Sequence, residues 1–202
     1  MFEHLNLILF SALNASAGLS GWQLLSARFA AEWLILLVPL TLAALWIGGD
    51  ARQRQAAVHA CLAAIGALAV NATIGLLWFH PRPFMAGVGH TFLHHAPDSS
   101  FPSDHATILF TVALALAFSQ IDNARRIGSL LLPVAVVVAW ARVFLGVHYP
   151  MDMFGALLVS VVVTTLFQAR MAIAASAALV PMMESVYRRV LAAPIARGWL
   201  RP

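Results

Sequence analysis

Five long apolar runs separated by short polar punctuation dominate the chain, near residues 29–48, 56–79, 105–120, 127–147 and 153–171. Each is long enough, or nearly so, to cross a hydrocarbon core of about 30 Å at about 1.5 Å per helical residue. Residues 1–28 break the pattern, because Asn6, Asn14, Ser16, Ser20 and Gln23 interrupt the apolar positions; an interfacial helix is predicted there rather than a span. At the other end, residues 172–202 begin with small apolar residues and then set Glu184, Arg188, Arg189, Arg197 and Arg201 among Val186, Val190 and Leu191. That is the pattern of an amphipathic surface helix. A sixth span over about 171–187 is the alternative. The fold class expected is all-α: a polytopic membrane helix bundle of about five transmembrane helices, with N- and C-terminal interfacial helices, in one domain over 1–202 whose core covers about 29–171.

The connections at 48–52 and 120–124 are short polar turns. The one at 80–104 is much longer and holds four prolines together with His80, His90, His94 and His95. Loops of that length carrying that much potential chemistry are usually functional.

Composition sharpens the reading. Hydrophobic residues make up 61% of the 202 positions and charged residues 10%, against roughly 25% charged in soluble domains. There is no lysine, so the arginines alone set orientation. Arg52 and Arg54 follow the first run, Arg125 and Arg126 the third, and Arg170 through Arg201 the fifth, which places those ends in the cytoplasm and the opposite ends, with Arg28, Arg82 and Arg142, outside. The formal net charge of +4 comes without a continuous basic stripe, which excludes a nucleic-acid partner. Cys61 stands alone, so neither an intrachain disulfide nor a thiolate metal site can form, and core filler is its expected role. The start Met1-Phe2-Glu3-His4 lacks the basic opening of a cleaved signal peptide, and the N-terminus is expected to be retained.

Ionisable groups beside apolar runs are costly to keep, and here they cluster on one side. Arg82, set between Pro81 and Pro83, and Arg142 can offer a phosphate planar, permanently charged forks. Pro102-Ser103-Asp104-His105 starts the third run, where Ser103 or Asp104 can cap a helix whose free N–H groups and dipole favour an anion. His148 precedes Asp152 by four residues, with Pro150 suited to a first helical turn; an aspartate accepting from one ring nitrogen leaves the other free to attack phosphorus. Each feature has a plainer reading alone: a snorkelling arginine, a capping motif with an incidental histidine, a structural His–Asp pair. Their convergence favours chemistry.

These residues bring a family into view. Arg82-Pro83, then Pro102-Ser103-Asp104-His105, then Arg142 through His148 to Asp152 resemble the three ordered signatures of the type 2 phosphatidic acid phosphatase superfamily. The longer strings 79–84, 98–105 and 141–148 look like its bacterial bacitracin-resistance branch, the undecaprenyl diphosphate phosphatases. The resemblance implies His148 as nucleophile, His105 as general acid, Asp152 as orienter of His148, and Arg82, Ser103 and Arg142 as phosphate ligands, with no cofactor and no metal. It further implies hydrolysis of undecaprenyl diphosphate to undecaprenyl phosphate and phosphate through a phosphohistidine, and with it bacitracin resistance. The expected location is the bacterial inner membrane, with the site on the extracytoplasmic face and a polyprenyl diphosphate lipid as partner; a homodimer is left open. The sequence departs from the broad family at Gly75, where a lysine is usual, and at Asp104 and Ala141. Asn71, His80 and Asp104 are the candidate further substrate contacts, and Glu32 and Trp33 are expected at the interface. Three other functions compete: a lipid phosphotransferase acting on lipid A, a phosphatidylglycerophosphate or other lipid phosphatase, and a metal carrier built on His90, His94 and His95.

Overall fold

The computed structural model describes residues 2–201, and among these the regular structure is helical throughout. Helix α1 covers Phe2–Leu13 and α2 covers Gly21–Trp33; a single 3-10 turn, Leu34–Leu36, leads directly into α3, Leu37–Gly48. Pro39, which has no N–H to give Ile35, accounts for the local tightening at that junction. Then follow α4 (Ala51–Leu77), α5 (Asp104–Ala117), α6 (Asp122–Phe144), α7 (Pro150–Phe167), α8 (Arg170–Val190) and a short α9 (Ala192–Ala196). Asp50 and Gln53 close a reciprocal capping box at the start of α4, and Pro150 occupies the first position of α7.

Four helical segments are long and apolar enough to cross a membrane: Gly21–Gly48, Ala51–Leu77, Asp122–Phe144 and Pro150–Phe167. The chain is a multi-pass membrane protein. Two expectations from the sequence need correcting. The first span begins at Gly21, not at 29, so only α1 remains of the N-terminal interfacial helix. The third run, expected at 105–120, is a 14-residue helix, about 21 Å long at 1.5 Å per residue, and too short to cross alone. It is instead the inner helix of the bundle, packed by α4, α6 and α7 through Leu109, Val112, Ala113 and Leu116.

Small residues let the helices approach where apolar solvent provides no driving force between them. A Cβ on Gly128 would stand 2.2 Å from Ala117 N and 2.6 Å from Ala113 O, so α6 crosses α5 nearly backbone to backbone. Thr111 Oγ1 donates to Ser160 Oγ at 2.9 Å, and Ser160 Oγ donates to the Thr107 carbonyl at 3.2 Å, tying α5 to α7 inside the bundle.

Helix α8 carries no window apolar enough to span, which removes the sixth-span alternative. It lies across the start of α4, with Gln55 donating to the Ile173 carbonyl. Arg54 is the anchor: its side chain is buried against Trp46 and Tyr187, bonds Glu184 at 2.8 Å, and donates to the carbonyls of Trp46 and Arg201. Cys61 is not core filler. It is exposed and lines an apolar groove of about 330 Å³ between α4 and α8.

Removing one partner of a buried ion pair costs about 3–5 kcal/mol, so Arg54→Ala should release α8 and raise the rate of proteolytic cleavage within 170–201 by about 10-fold or more. Limited proteolysis in detergent, followed by mass spectrometry, checks this.

Candidate active site

The polar residues meet at one end of the bundle, where α4 and α6 end and α5 and α7 begin. The arginines at 52, 54, 125, 126 and 170 lie at the opposite helix ends. Arg142 is in the last turn of α6, and the chain then reverses over 145–149 to deliver His148 and start α7. Gly146 makes that reversal possible. Its φ is +79°, a region side chains disfavour, and a Cβ there would sit 2.1 Å from the His90 carbonyl oxygen. Residues 78–103 fold back over the same end, with Ser100 N donating to the His80 carbonyl and Ser103 N to the Asp152 carbonyl.

His148 is 1% exposed. Its Nδ1 lies 3.1 Å from Asp152 Oδ2, and the same oxygen accepts from Tyr149 N at 2.8 Å and from Ser100 Oγ. Three donors converge on one carboxylate oxygen, which fixes the proton on Nδ1 and leaves Nε2 with a lone pair. Arg82 Nη1 lies against the ring, 2.9 Å from Nε2 and 3.4 Å from Nδ1. The guanidinium is aimed from three sides: Nε donates to Asp98 Oδ1 at 2.7 Å, Nη1 to the Val147 carbonyl at 3.0 Å and Nη2 to the Ser99 carbonyl at 3.3 Å. Burial pushes the His148 imidazole well below its ordinary 6.5, and the nearby cations Arg142 and Arg82, then His95 and His105, push it the same way. The ring is therefore neutral and nucleophilic at physiological pH.

Arg142 is 3% exposed, and its Nη1 reaches only the Ala31 carbonyl, at 3.4 Å. Its Nε has no partner. Neither has the hydroxyl of Ser103, although the residue is fully buried at the N-cap of α5 and makes no side-chain cap bond. The capping expected of Ser103 is thus absent; Asp104 does not cap either, since its Oδ1 accepts from Asn71 Nδ2 at 2.8 Å. Buried polar groups are nearly always partnered, and an arginine Nε and a serine hydroxyl left bare beside a helix start suit an anion. In front of them is a cleft of about 520 Å³ lined by Glu32, His94, His95, His105 and Arg142, with Trp33, Leu36 and Leu93 as its apolar wall.

The remaining candidates are placed as follows. Asn71 spends its amide on Asp104 and, at 2.9 Å, on Thr107 Oγ1, bracing the first turn of α5. His80 packs between Trp78 and Tyr149, each ring centre 5.5 Å away. A Cβ at Gly75 would meet Ser99 at ordinary contact distance, 3.4 Å. Among the described residues no three His, Cys, Asp or Glu side chains gather as metal ligands would, and His90 is held by its backbone to Asn14.

Several contributors carried no sequence signal of their own. Ser100 and Asp98 sit inside the quoted 98–105 string yet had no assigned role. Asn14 bonds both backbone groups of His90 and the Phe144 carbonyl, Arg28 donates twice to the Phe92 carbonyl, and Asn6 Oδ1 accepts from Met151 N. Two of the polar residues that seemed to interrupt the N-terminal pattern thus have structural work: Asn14 holds the site loop and Asn6 the start of α7.

A fold and a site of this kind define an integral-membrane phosphoryl-handling protein, and comparison with known proteins agrees. The PAP2 superfamily model matches residues 56–176, and the chain belongs to that superfamily. Over its full length it is 44% identical to Escherichia coli (strain K12) YbjG, named as a candidate undecaprenyl-diphosphatase, with all of both chains covered. It is 36% identical to the undecaprenyl-diphosphatase BcrC of Bacillus subtilis (strain 168), over 69% of this chain and 70% of that one. The fold is shared with the crystal structure of Aquifex aeolicus LpxE, at a TM-score of 0.63 and 22% identity over 80% of this chain and 93% of that one. It is shared also with a PAP2 type phosphatidylglycerolphosphate phosphatase from Bacillus subtilis, at a TM-score of 0.61 and 17% identity over 83% and 84%.

A depressed His148 has a signed consequence. Below pH 6.5 the unfolded chain takes up a proton that the folded ring refuses, so this group's contribution to stability is present above 6.5 and is lost as pH falls through that value. Nitrogen-15 chemical shifts of His148 should report the neutral, Nδ1-protonated ring at pH 6.5.

Proposed function

We propose that the chain hydrolyses undecaprenyl diphosphate to undecaprenyl phosphate and orthophosphate, recycling the lipid carrier of cell-wall synthesis at the extracytoplasmic face of the bacterial inner membrane and so conferring bacitracin resistance. The observation that carries this reading is the buried His148–Asp152 pair, with Nε2 beside Arg82 and with Arg142 Nε and Ser103 Oγ left without partners at the same end of the bundle. The names of the relatives identical at 44% and 36% supply the substrate, and the excess of arginine at the opposite helix ends supplies the orientation.

The chemistry follows from the residues. The terminal phosphoryl oxygens take over guanidinium N–H groups of Arg82 and Arg142 and the hydroxyl of Ser103, which draws Arg82 away from the imidazole and leaves the Nε2 lone pair free. Nε2 then bonds to phosphorus while the bond to the bridging oxygen breaks, and His105 gives that oxygen a proton as undecaprenyl phosphate departs; burial, then the Arg142 charge, hold the free imidazole down to about 3, so His105 takes up this proton from water only once the negative charge of the bound diphosphate offsets them. Asp152, still accepting from Nδ1–H, stabilises the phosphoimidazolium. Water next attacks phosphorus, His105 takes its proton, and the N–P electron pair returns to Nε2. The arginines and the α5 start offset charge on the equatorial oxygens, which is the main work in phosphoryl transfer.

His148→Ala should abolish phosphate release from undecaprenyl diphosphate, and Asp152→Asn, which presents an amide to Nδ1, should lower kcat by about 10³–10⁴-fold. A phosphate-release assay on purified, folded variants checks both, and near-normal turnover in His148→Ala would reject the mechanism.

A further inference from the structure

The buried part of the site and its open part are different places. His148 and Arg82 are 1% and 4% exposed, and neither lines the cleft, which is walled instead by Glu32, His94, His95, His105 and Arg142. Arg142 belongs to both. A terminal phosphoryl group between His148, Ser103 and Arg142 therefore directs its bridging oxygen outward, toward His105, and whatever that oxygen carries lies among the histidines of the loop.

A monophosphate ester would put a carbon there, and a diphosphate a second, singly charged phosphate. The cleft suits the latter. His95 Nδ1 bonds the Ala96 carbonyl at 3.1 Å and stands 3.6 Å from Asp98 Oδ1. Its Nδ1–H is thus spoken for, and Nε2 is the atom left to meet a ligand, with Asp98 beside it to support an imidazolium. The ring stands edge to face with that of His148, their centres 6.1 Å apart, so His95 joins the buried nucleophile to the open cleft. Burial, and then the cations Arg82 and Arg142, lower its affinity for a proton, and an anion in the cleft opposes both effects.

We propose that His94 and His95 form a subsite for the lipid-side phosphate, so that the site selects lipid diphosphates over lipid monophosphates. The proposal rests on the phosphatase reading above but can fail separately from it. Purified protein in detergent is assayed on undecaprenyl diphosphate and on phosphatidic acid, as wild type, His94→Ala and His95→Ala. Binding of inorganic pyrophosphate and of orthophosphate is read in parallel by thermal shift, which also reports whether each variant is folded.

The expected result for His95→Ala is a fall of about 10–100-fold in kcat/KM on the diphosphate, carried mainly by KM, as for loss of a hydrogen bond to a charged group. The diphosphate-to-monophosphate ratio should drop by about 10-fold or more, and the stabilisation by pyrophosphate should fall toward that by orthophosphate. An unchanged ratio in both variants, whether through equal loss on the two lipids or no loss, overturns the subsite. Wild-type protein that hydrolyses neither lipid overturns the phosphatase reading instead, while the pyrophosphate comparison still decides the subsite.

Discussion

Two guanidinium groups, Arg82 and Arg142, are buried at one end of an apolar bundle, and the rest of the site is arranged around the cost of keeping them there. A buried charge must be paired or densely hydrogen-bonded. Arg82 meets that need with Asp98, two backbone carbonyls and the ring of His148. Arg142 does not: one long bond to Ala31 and a bare Nε leave it under-partnered. Two cations with one carboxylate in direct contact leave positive charge uncompensated, and the burial that makes them expensive also strengthens, by lowering the local dielectric, the attraction they would exert on an anion.

The same constraint explains the loop architecture. The segment between α4 and α5 contributes Arg82, which contacts His148 and is held by Asp98 and Ser99, and Ser100, which acts through Asp152. A loop this long keeps one shape only if its own backbone groups are satisfied. That is the task of the N-terminal helices, through the Asn14 and Arg28 bonds to His90 and Phe92.

Much of this was legible in the chain because ionisable residues in a lysine-free, mostly apolar sequence stand out, and because Pro, Gly and His mark a loop that cannot be a simple turn. The fold class, the His148–Asp152 pair and the two arginines could be read that way. The start of the first span could not, since Ser20, Gln23 and Arg28 look like interruptions when their neighbours are unknown; Arg28 in fact donates to a loop carbonyl. The third run was drawn slightly too long because Ser119 and Gln120 were counted with it, whereas the helix ends at a Phe118 cap. Ser100 and Asn14 were invisible because a side-chain hydrogen bond leaves no periodicity behind; Ser103 does stand at the N-cap, as its residue type suggests, but the sequence cannot show that its hydroxyl makes no cap bond.

The contact between Asn6 of α1 and the first turn of α7 joins the earliest-synthesised helix to one made roughly 140 residues later. During biogenesis, a chain still threading into the bilayer holds Arg82 and His105 yet lacks the turn that bears His148. A product cut short before α7 therefore carries most of the motifs without the His148–Asp152 pair.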